Sequence, residues 1–540
     1  MATTLLRNAT LVDGTGAPAA PGHLLLDGDT IADVLRGDQA PDADRVLDVE
    51  GRVVAPGFVD MHSHADFSVV NPDHERLMAA FLEQGVTSIV AGNCGISPAP
   101  ARERTLPRLK RFASIAIDAP LAWDWKGFDG YLGRLEAARP AVNVAQLVGH
   151  STLRYAGSDV RRGPLSSADT RRCLDLTAAA FEQGACGLSF GLGYDPGMFS
   201  PLEELEAFMR VAAAHDRTVT VHLKAYSKLS PTYPLTELRP HNLRALREML
   251  DLARRTGARL QISHFIFVGR AAWPTASRAL AMVDAARRDH DVAFDAFPYT
   301  CGNTTVNVTL PYWFLAMGAE AYRSRWARMR LRAELSIGYR LAGMAWSDFQ
   351  VMEIGVPEWR DLEGLSLEAI ARRWKQHPVD ALLRISERTD GGALMLIHGY
   401  SGDRAGRGPI EDVLSHEACL FETDAIVRSH GWPNPAAMGT FPKILGDHVR
   451  RRGRLRLEEA VRRMTGDSVA RFGLTDRGVL ARGKRADVVV FDPDVIEDTP
   501  PGPSRPAGRP EGIDRVFVNG VEAVTEGRYR SGVRAGRVLR

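Results

Sequence analysis

Gly57-Phe58-Val59-Asp60-Met61-His62-Ser63-His64-Ala65-Asp66-Phe67 is an apolar run that ends abruptly in two histidines one residue apart. In an extended chain residues i and i+2 project to the same side, so two imidazoles at the end of a strand can close on one metal ion. A single His-x-His is a weak sign, met as readily in two histidines at the edge of a core. The remainder of the chain has to decide between these readings.

The middle of the chain alternates strand and helix. Apolar runs at 57–61, 87–91, 143–148, 186–190, 218–221, 259–263, 292–296 and 418–422 predict strands. Segments 74–84, 167–183, 202–215, 241–256 and 275–288 carry apolar residues at 3–4-residue spacing and predict helices. Eight strands, mostly separated by helices, are the pattern of a (β/α)8 barrel. The gap between the seventh and eighth strands is too long for one connection. Residues from about 303 to 390, rich in aromatics and arginine, therefore read as an insertion able to lie over the barrel mouth. The two ends of the chain are β-rich and punctuated by Asp13-Gly14, Asp27-Gly28, Asp492-Pro493 and Asn519-Gly520. They are expected to pair into one small β-sandwich domain, residues 1–55 with 480–540, around a barrel of 56–479. The proline-rich stretch 499–510 between the C-terminal strands reads as a loop.

Barrel enzymes place their chemistry at the C-terminal ends of the strands. Here the first strand ends at His62 and His64, the second at Asn93-Cys94, the third at His150, the fifth at His222, the sixth at His264 and the eighth at Asp424. Each has a bland alternative, since a buried Cys is usually a small hydrophobe and a lone His a satisfied polar group. Their recurrence in one register favours a metal site. Imidazoles with one thiolate and one carboxylate suit zinc better than magnesium or calcium, with iron or manganese left open. An open zinc position lowers the pKa of bound water to near 7, and Asp424 is placed to take a proton from that water and deliver it to a leaving nitrogen.

Bulk properties set limits on the alternatives. The chain has 540 residues, 45% hydrophobic and 25% charged, as expected for a large soluble globular domain with an accessory one. A net charge of +2 gives no footprint for nucleic acid or an anionic membrane surface. Five scattered cysteines fit a reducing compartment better than a disulfide framework. The N-terminus lacks the build of a signal peptide, and no apolar run approaches the roughly 18–20 residues that span a bilayer. A cytoplasmic enzyme acting on a small molecule is expected.

With these residues assembled, the chain resembles the amidohydrolase superfamily, and within it the N-acyl-D-amino-acid deacylase (D-aminoacylase) branch. The resemblance runs through 55–64, Gly92-Asn93-Cys94-Gly95, 147–154, 187–194, Ile262-Ser263-His264, Gly439-Thr440-Phe441-Pro442, 482–493 and the tail 536–540. A cysteine after the second strand, where many relatives use a carboxylated lysine after the fourth, marks this branch. The resemblance implies one tight zinc on Cys94, His222 and His264. It implies a second, weaker site on His62 and His64, with Cys94 able to bridge. Asp424 would be the catalytic carboxylate, and Tyr194, after the fourth strand, the phenol that polarises the scissile carbonyl. His150 matches a family histidine without a derived role.

The chain departs from the branch where the substrate's α-carboxylate is held. Positions that carry a Lys, a Tyr and an Arg in the branch read here as Ile266, Phe297 (in Phe297-Pro298-Tyr299) and Ala436 (in Asn434-Pro435-Ala436). Losing all three removes the charge-assisted bonds that offset carboxylate desolvation. The leading expectation is a zinc-dependent N-deacylase cleaving a non-peptide amide in a substrate without that carboxylate, its pocket lined by Ile266, Phe297, Tyr299, Trp432 and Ala436. One alternative is a true N-acyl-D-amino-acid deacylase whose clamp is relocated to Lys224, Arg270, Arg428 or Lys443. A cyclic-amide hydrolase is disfavoured because 187–193 holds no lysine to carboxylate. A metal-retaining binding or scaffold protein is disfavoured because Asp424 stands beside all five candidate ligands.

Overall fold

The structure is a computed structural model and describes the chain except residues 1, 38, 72, 160–162, 234–238 and 501–507. The loop expected across 499–510 lies largely outside the described residues.

Eight parallel strands form the central sheet: Phe58–Ser63, Val86–Ala91, Asn143–Gly149, Gly187–Gly191, Thr218–His222, Leu260–Ile262, Val292–Ala296 and Cys419–Phe421. Each pairs with the next in chain order. Their residues are buried on both faces, as expected when helices cover the outside and side chains fill the inside. The ring closes between its first and last members. Asp424 N–H donates to the His62 carbonyl and His64 N–H to the Ala425 carbonyl, each at 3.0 Å, while Asp60 accepts from the backbone and hydroxyl of Thr423. The closing bonds thus run through the histidine pair and the carboxylate, fixing them relative to each other. At the opposite end, Val538–Leu539 adds a short strand beside Asn143–Gly149.

The covering helices include His74–Leu82, Ser167–Glu182, Leu202–Ala214, His241–Thr256 and Ala276–Arg287. Local sequence explains their ends. Ser166 caps Ser167–Glu182 by accepting from the Asp169 N–H, and Gly257 closes His241–Thr256 with a left-handed φ of 70°.

Both termini build one nine-stranded sheet. The seam is the antiparallel pairing of Val53–Pro56 with Val488–Phe491, which joins the two ends of the chain. The sheet curls over itself, since Ile31 N–H reaches the Lys484 carbonyl and Ala486 N–H the Asp29 carbonyl. It encloses Leu6, Leu24, Leu26, Ile31, Val54, Val488, Val490 and Phe517.

Between the seventh and eighth barrel strands lies the inserted unit. Cys301–Thr305, Leu394–His398 and Phe349–Glu353 form a three-stranded antiparallel sheet in that spatial order. The 18-residue helix Arg325–Ala342 belongs to it, and Phe314, Leu331, Phe349 and Leu382 are part of its own core. Ser401 ties this unit to the barrel mouth. Its N–H donates to the Phe267 carbonyl and its hydroxyl accepts from Phe267 N–H, three residues beyond His264.

Candidate active site

Cys94 is the hub of the strand-end cluster. Its Sγ lies 3.4 Å from His62 Nε2, 3.7 Å from His222 Nδ1 and 3.4 Å from His264 Nε2, and the last two nitrogens are 2.9 Å apart. A tetrahedral zinc bonded at its usual lengths holds sulfur and nitrogen donors about 3.5 Å apart, so these side chains fit such an ion. The turn that delivers the thiol is tightly built. A Cβ at Gly191 would overlap the Cys94 carbonyl, so only glycine lets the end of the fourth strand pack on the Cys94 turn. Cys94, His264 and Asp424 adopt φ of 53°, 30° and 46°, in the left-handed region that non-glycine residues rarely occupy. Such backbone clusters where surrounding structure holds functional groups in place.

Asp424 faces the histidine pair, its Oδ1 3.6 Å from His62 Nε2 and 3.5 Å from His64 Nε2. His62, His64 and Asp424 form a second convergent donor group beside the one of His62, Cys94 and His264. Burial would raise the Asp424 carboxyl, but the contact with His64 and the charges of His264, His62 and His64 hold it below its ordinary value. Burial likewise opposes ionisation of the Cys94 thiol, yet the surrounding imidazoles push it well below its usual range. Burial keeps His222 neutral, the form that ligates a metal. The Tyr194 ring sits 4.4 Å from that of His222. Burial first, then the negative charge of Cys94 and Asp424, raises its phenol well above the ordinary value, so it remains a hydrogen-bond donor at neutral pH.

Several participants are not singled out by the sequence patterns. Asp295 sits in the seventh strand, where an acid interrupts the apolar run Val292–Ala296. Its Oδ1 accepts the His264 N–H at 2.6 Å and faces His62 Nδ1 at 3.4 Å. Glu422, fully buried two residues before Asp424, converges with Asp295 on His62. Tyr226 donates to the Ser263 carbonyl and accepts from Leu223 N–H, and its ring lies 5.0 Å from His222 and 5.1 Å from His264. It is thus wedged against both imidazoles. Four-residue spacing from His222 is the only hint of this in the sequence.

His150 lies apart from the cluster. Its Nε2–H donates to Glu204 at 3.0 Å, and its ring stands edge-on to Phe190 and Phe208. Arg154 donates to the same carboxylate at 2.5 Å and to Ser200. All of these groups are buried, so His150 anchors the third and fourth strands to their helices. Burial would raise Glu204, but His150 and Arg154 bring it down to about 2. A depressed folded pKa contributes stability above the unfolded value and loses it as pH falls toward 2. Glu204→Gln is therefore expected to flatten the decline of the thermal midpoint between pH ~4.5 and ~2. At neutral pH it should cost about 3–5 kcal/mol, because the buried guanidinium loses its counter-charge.

Phe297 and Ala436 are buried members of the insertion's apolar core, and the partly buried Ile266 packs against it. Tyr299 contributes its ring there but turns its hydroxyl to Asp498 at 2.8 Å. Trp432 packs in a different cluster, with Met352, Leu394, Leu396 and Ile426, and its backbone N–H donates to the Met352 carbonyl. It braces the insertion and is not grouped with Ile266, Phe297 and Ala436. The cations near these strand ends are engaged. Arg428 forms a two-pronged pair with Glu353 at 2.5 and 2.9 Å, Arg270 meets Asp348 at 3.1 Å, and Lys443 meets Asp498 at 3.5 Å. Lys224 lies over the Tyr233 ring at 5.3 Å.

A barrel whose strand ends converge imidazoles and a thiolate on one point beside a half-buried carboxylate defines a metal-dependent hydrolase. The amidohydrolase family profile matches residues 45–223 and 408–538, and the chain belongs to that family, as a hydrolase of carbon–nitrogen amide bonds. An N-acyl-D-glutamate deacylase of Alcaligenes xylosoxydans xylosoxydans is 34% identical over 99% of this chain and 96% of its own. The structure of an N-acyl-D-glutamate deacylase from Bordetella bronchiseptica, complexed with zinc and a phosphonate mimic of the tetrahedral intermediate, superposes with a TM-score of 0.82 at 29% identity. It covers 100% of this chain and 99% of that one. A D-aminoacylase structure concerned with one-metal activation and second-metal attenuation of a binuclear centre matches with a TM-score of 0.80 at 30% identity, covering 99% of each chain.

Proposed function

We propose that this protein is a zinc-dependent N-deacylase for small acylated compounds that carry a neutral or apolar group where N-acyl-D-amino acids carry their α-carboxylate. What supports it most is that Ile266, Phe297 and Ala436, which pack in or against one apolar cluster, stand at the positions where the branch places a cation, a hydroxyl and a guanidinium. Arg270, Arg428 and Lys443 are each matched to a carboxylate of this chain, so the obvious substitutes are spoken for. An unpaired carboxylate among such side chains costs several kcal/mol in effective terms.

Cys94, His222 and His264 would hold one zinc firmly, and His62, His64 and Asp424 would form the weaker second site. A zinc held by Cys94, His222 and His264 would supply a water of lowered pKa and Lewis acidity toward the amide carbonyl. Asp424, kept ionised by its imidazole neighbours, accepts the proton of the attacking water and returns it to the departing nitrogen. Tyr194, kept neutral, donates to the oxygen on which negative charge develops. Tyr226 holds the rings of His222 and His264 in place.

Among the described residues no helix is long and apolar enough to cross a membrane. All five cysteines are free and buried, which supports placement in a reducing compartment such as the cytoplasm.

Restoring the missing cation tests this reading. Ile266→Lys is expected to raise kcat/KM for an N-acyl-D-amino acid at least about tenfold, equivalent to one charge-assisted bond of roughly 1.4 kcal/mol, and to lower it for neutral amides. No change in either value would mean that Ile266 does not face the substrate. A second reading, favoured by the names of the relatives and by Lys224, which has no carboxylate at ion-pair distance among the described residues, is a deacylase of N-acyl-D-amino acids with a relocated clamp. Under that reading Lys224→Met abolishes saturation by the acid substrate.

A further inference from the structure

His62 presents two ring nitrogens to two different surroundings. Nε2 faces Cys94 and Asp424, the side on which the metals would lie. Nδ1 points the other way, toward Asp295 and Glu422, and makes no aligned hydrogen bond. When Nε2 ligates a metal, Nδ1 carries the ring proton, and a carboxylate that accepts it fixes both tautomer and orientation.

The two candidate acceptors differ in how firmly they are held. Asp295 is fixed on both oxygens, Oδ1 by the His264 N–H at 2.6 Å and Oδ2 by the Gln261 amide at 2.8 Å. Gln261 is in turn gripped by Arg471 at 3.2 Å, and Arg471 also bonds the Leu260 carbonyl. The barrel floor thus braces Asp295 through a buried chain of hydrogen bonds. Both oxygens of Glu422 are buried without a hydrogen-bond partner among the described residues, so nothing aims that side chain. A fixed acceptor orients an imidazole and an unanchored one does not.

Asp295 Oδ1 has a second property. The backbone it holds belongs to His264, a ligand of the proposed tight site, at a residue whose φ of 30° needs external support. One oxygen atom therefore holds the backbone of a ligand of one site and faces, at 3.4 Å, the free ring nitrogen of a ligand of the other. We propose that Asp295 is a positioning residue that couples the two metal sites, holding the His264 backbone of one and the His62 ring of the other. This rests on the two-site reading above. Asp295 touches neither ion, yet it sets how well the second is bound and how far binding at one site is felt at the other.

The test is zinc titration of the full-length protein against a chromophoric chelator, for wild type, Asp295→Asn and Glu422→Gln, with tightly held zinc counted after gel filtration. Asp295→Asn is expected to retain one tightly held zinc and to bind the second 10–100-fold more weakly. Glu422→Gln should stay within about threefold of wild type, well inside the 10–100-fold expected for Asp295→Asn. A second-site affinity unchanged in Asp295→Asn, or lost instead in Glu422→Gln, overturns the assignment. A wild type that takes up only one zinc overturns both this inference and the two-site reading, whereas two zincs with an unaffected Asp295→Asn overturn this inference alone. Should Asp295→Asn fail to fold, nitrogen-15 histidine spectra of the two-zinc wild type decide. His62 protonated on Nδ1, in a strong hydrogen bond, supports the assignment, and a proton on Nε2 contradicts it.

Discussion

Asp424→Asn is expected to lower kcat about 10²–10⁴-fold, the range for loss of a positioned general base and acid, with little change in KM. The substitution is nearly isosteric and keeps the backbone bond from residue 424 to His62 that closes the barrel. What disappears is the capacity to take a proton from water and hand it to nitrogen. Tightly held zinc should stay near one equivalent, because the thiolate and imidazoles of Cys94, His222 and His264 converge without the carboxylate. The pH profile gives a second signature. The Asp424 carboxyl is held below its ordinary value by its histidine neighbours, so the basic form persists into acid solution. Any acid limb in kcat due to this group lies below the usual carboxylate range and is absent from the variant. Unchanged turnover in Asp424→Asn would transfer the proton chemistry to another group.

Cys94→Ala is expected to abolish both tight metal binding and activity. Cys94 Sγ lies within 3.7 Å of nitrogens on three histidines from three different strands. Its removal leaves only imidazoles at that point, without the thiolate to balance the metal charge. The loss of affinity should exceed the roughly 10–100-fold that outer-shell changes cost. Metal analysis after gel filtration and turnover at saturating zinc check it. Excess zinc is not expected to restore the rate, since metal on His62 and His64 alone does not recreate the site at Cys94. A variant that keeps stoichiometric zinc and wild-type turnover would show that the imidazoles suffice.

The barrel is legible in the sequence because its strands are apolar runs, most of them followed by a polar or metal-ligating residue. The predicted strand 57–61 is found at Phe58–Ser63 and 218–221 at Thr218–His222. The domain built from both termini is legible for a similar reason, since each terminus carries short β-rich runs bounded by turn dipeptides, although among the described residues the only strand pairing that joins the two ends is that of Val53–Pro56 with Val488–Phe491. Less is legible where a side chain's partner is remote in the chain. Asp295 reads as an oddity in a hydrophobic strand until His62 and His264 fold against it. His150 sits in register with the ligands, yet Glu204 and Arg154 claim it. Tyr299 turns its hydroxyl to Asp498, and Trp432 packs with Met352, Leu394, Leu396 and Ile426, partners that lie far off in the sequence. The inserted unit is evident in the sequence only as a gap, because its short helices and three-stranded sheet carry no single sustained period.

The central claim is that the deacylase chemistry is retained while the carboxylate clamp is not. It is tested most directly by kcat/KM of the zinc-loaded protein on a matched pair, an N-acyl-D-amino acid and the same N-acyl compound with its α-carboxylate replaced by hydrogen or a neutral amide. Apolar side chains at Ile266, Phe297 and Ala436, where the branch holds the carboxylate, predict that the neutral member is preferred by at least about 100-fold, equivalent to roughly 2.7 kcal/mol of uncompensated desolvation. Faster turnover of the free acid would contradict the account and require a carboxylate clamp at another place in the pocket.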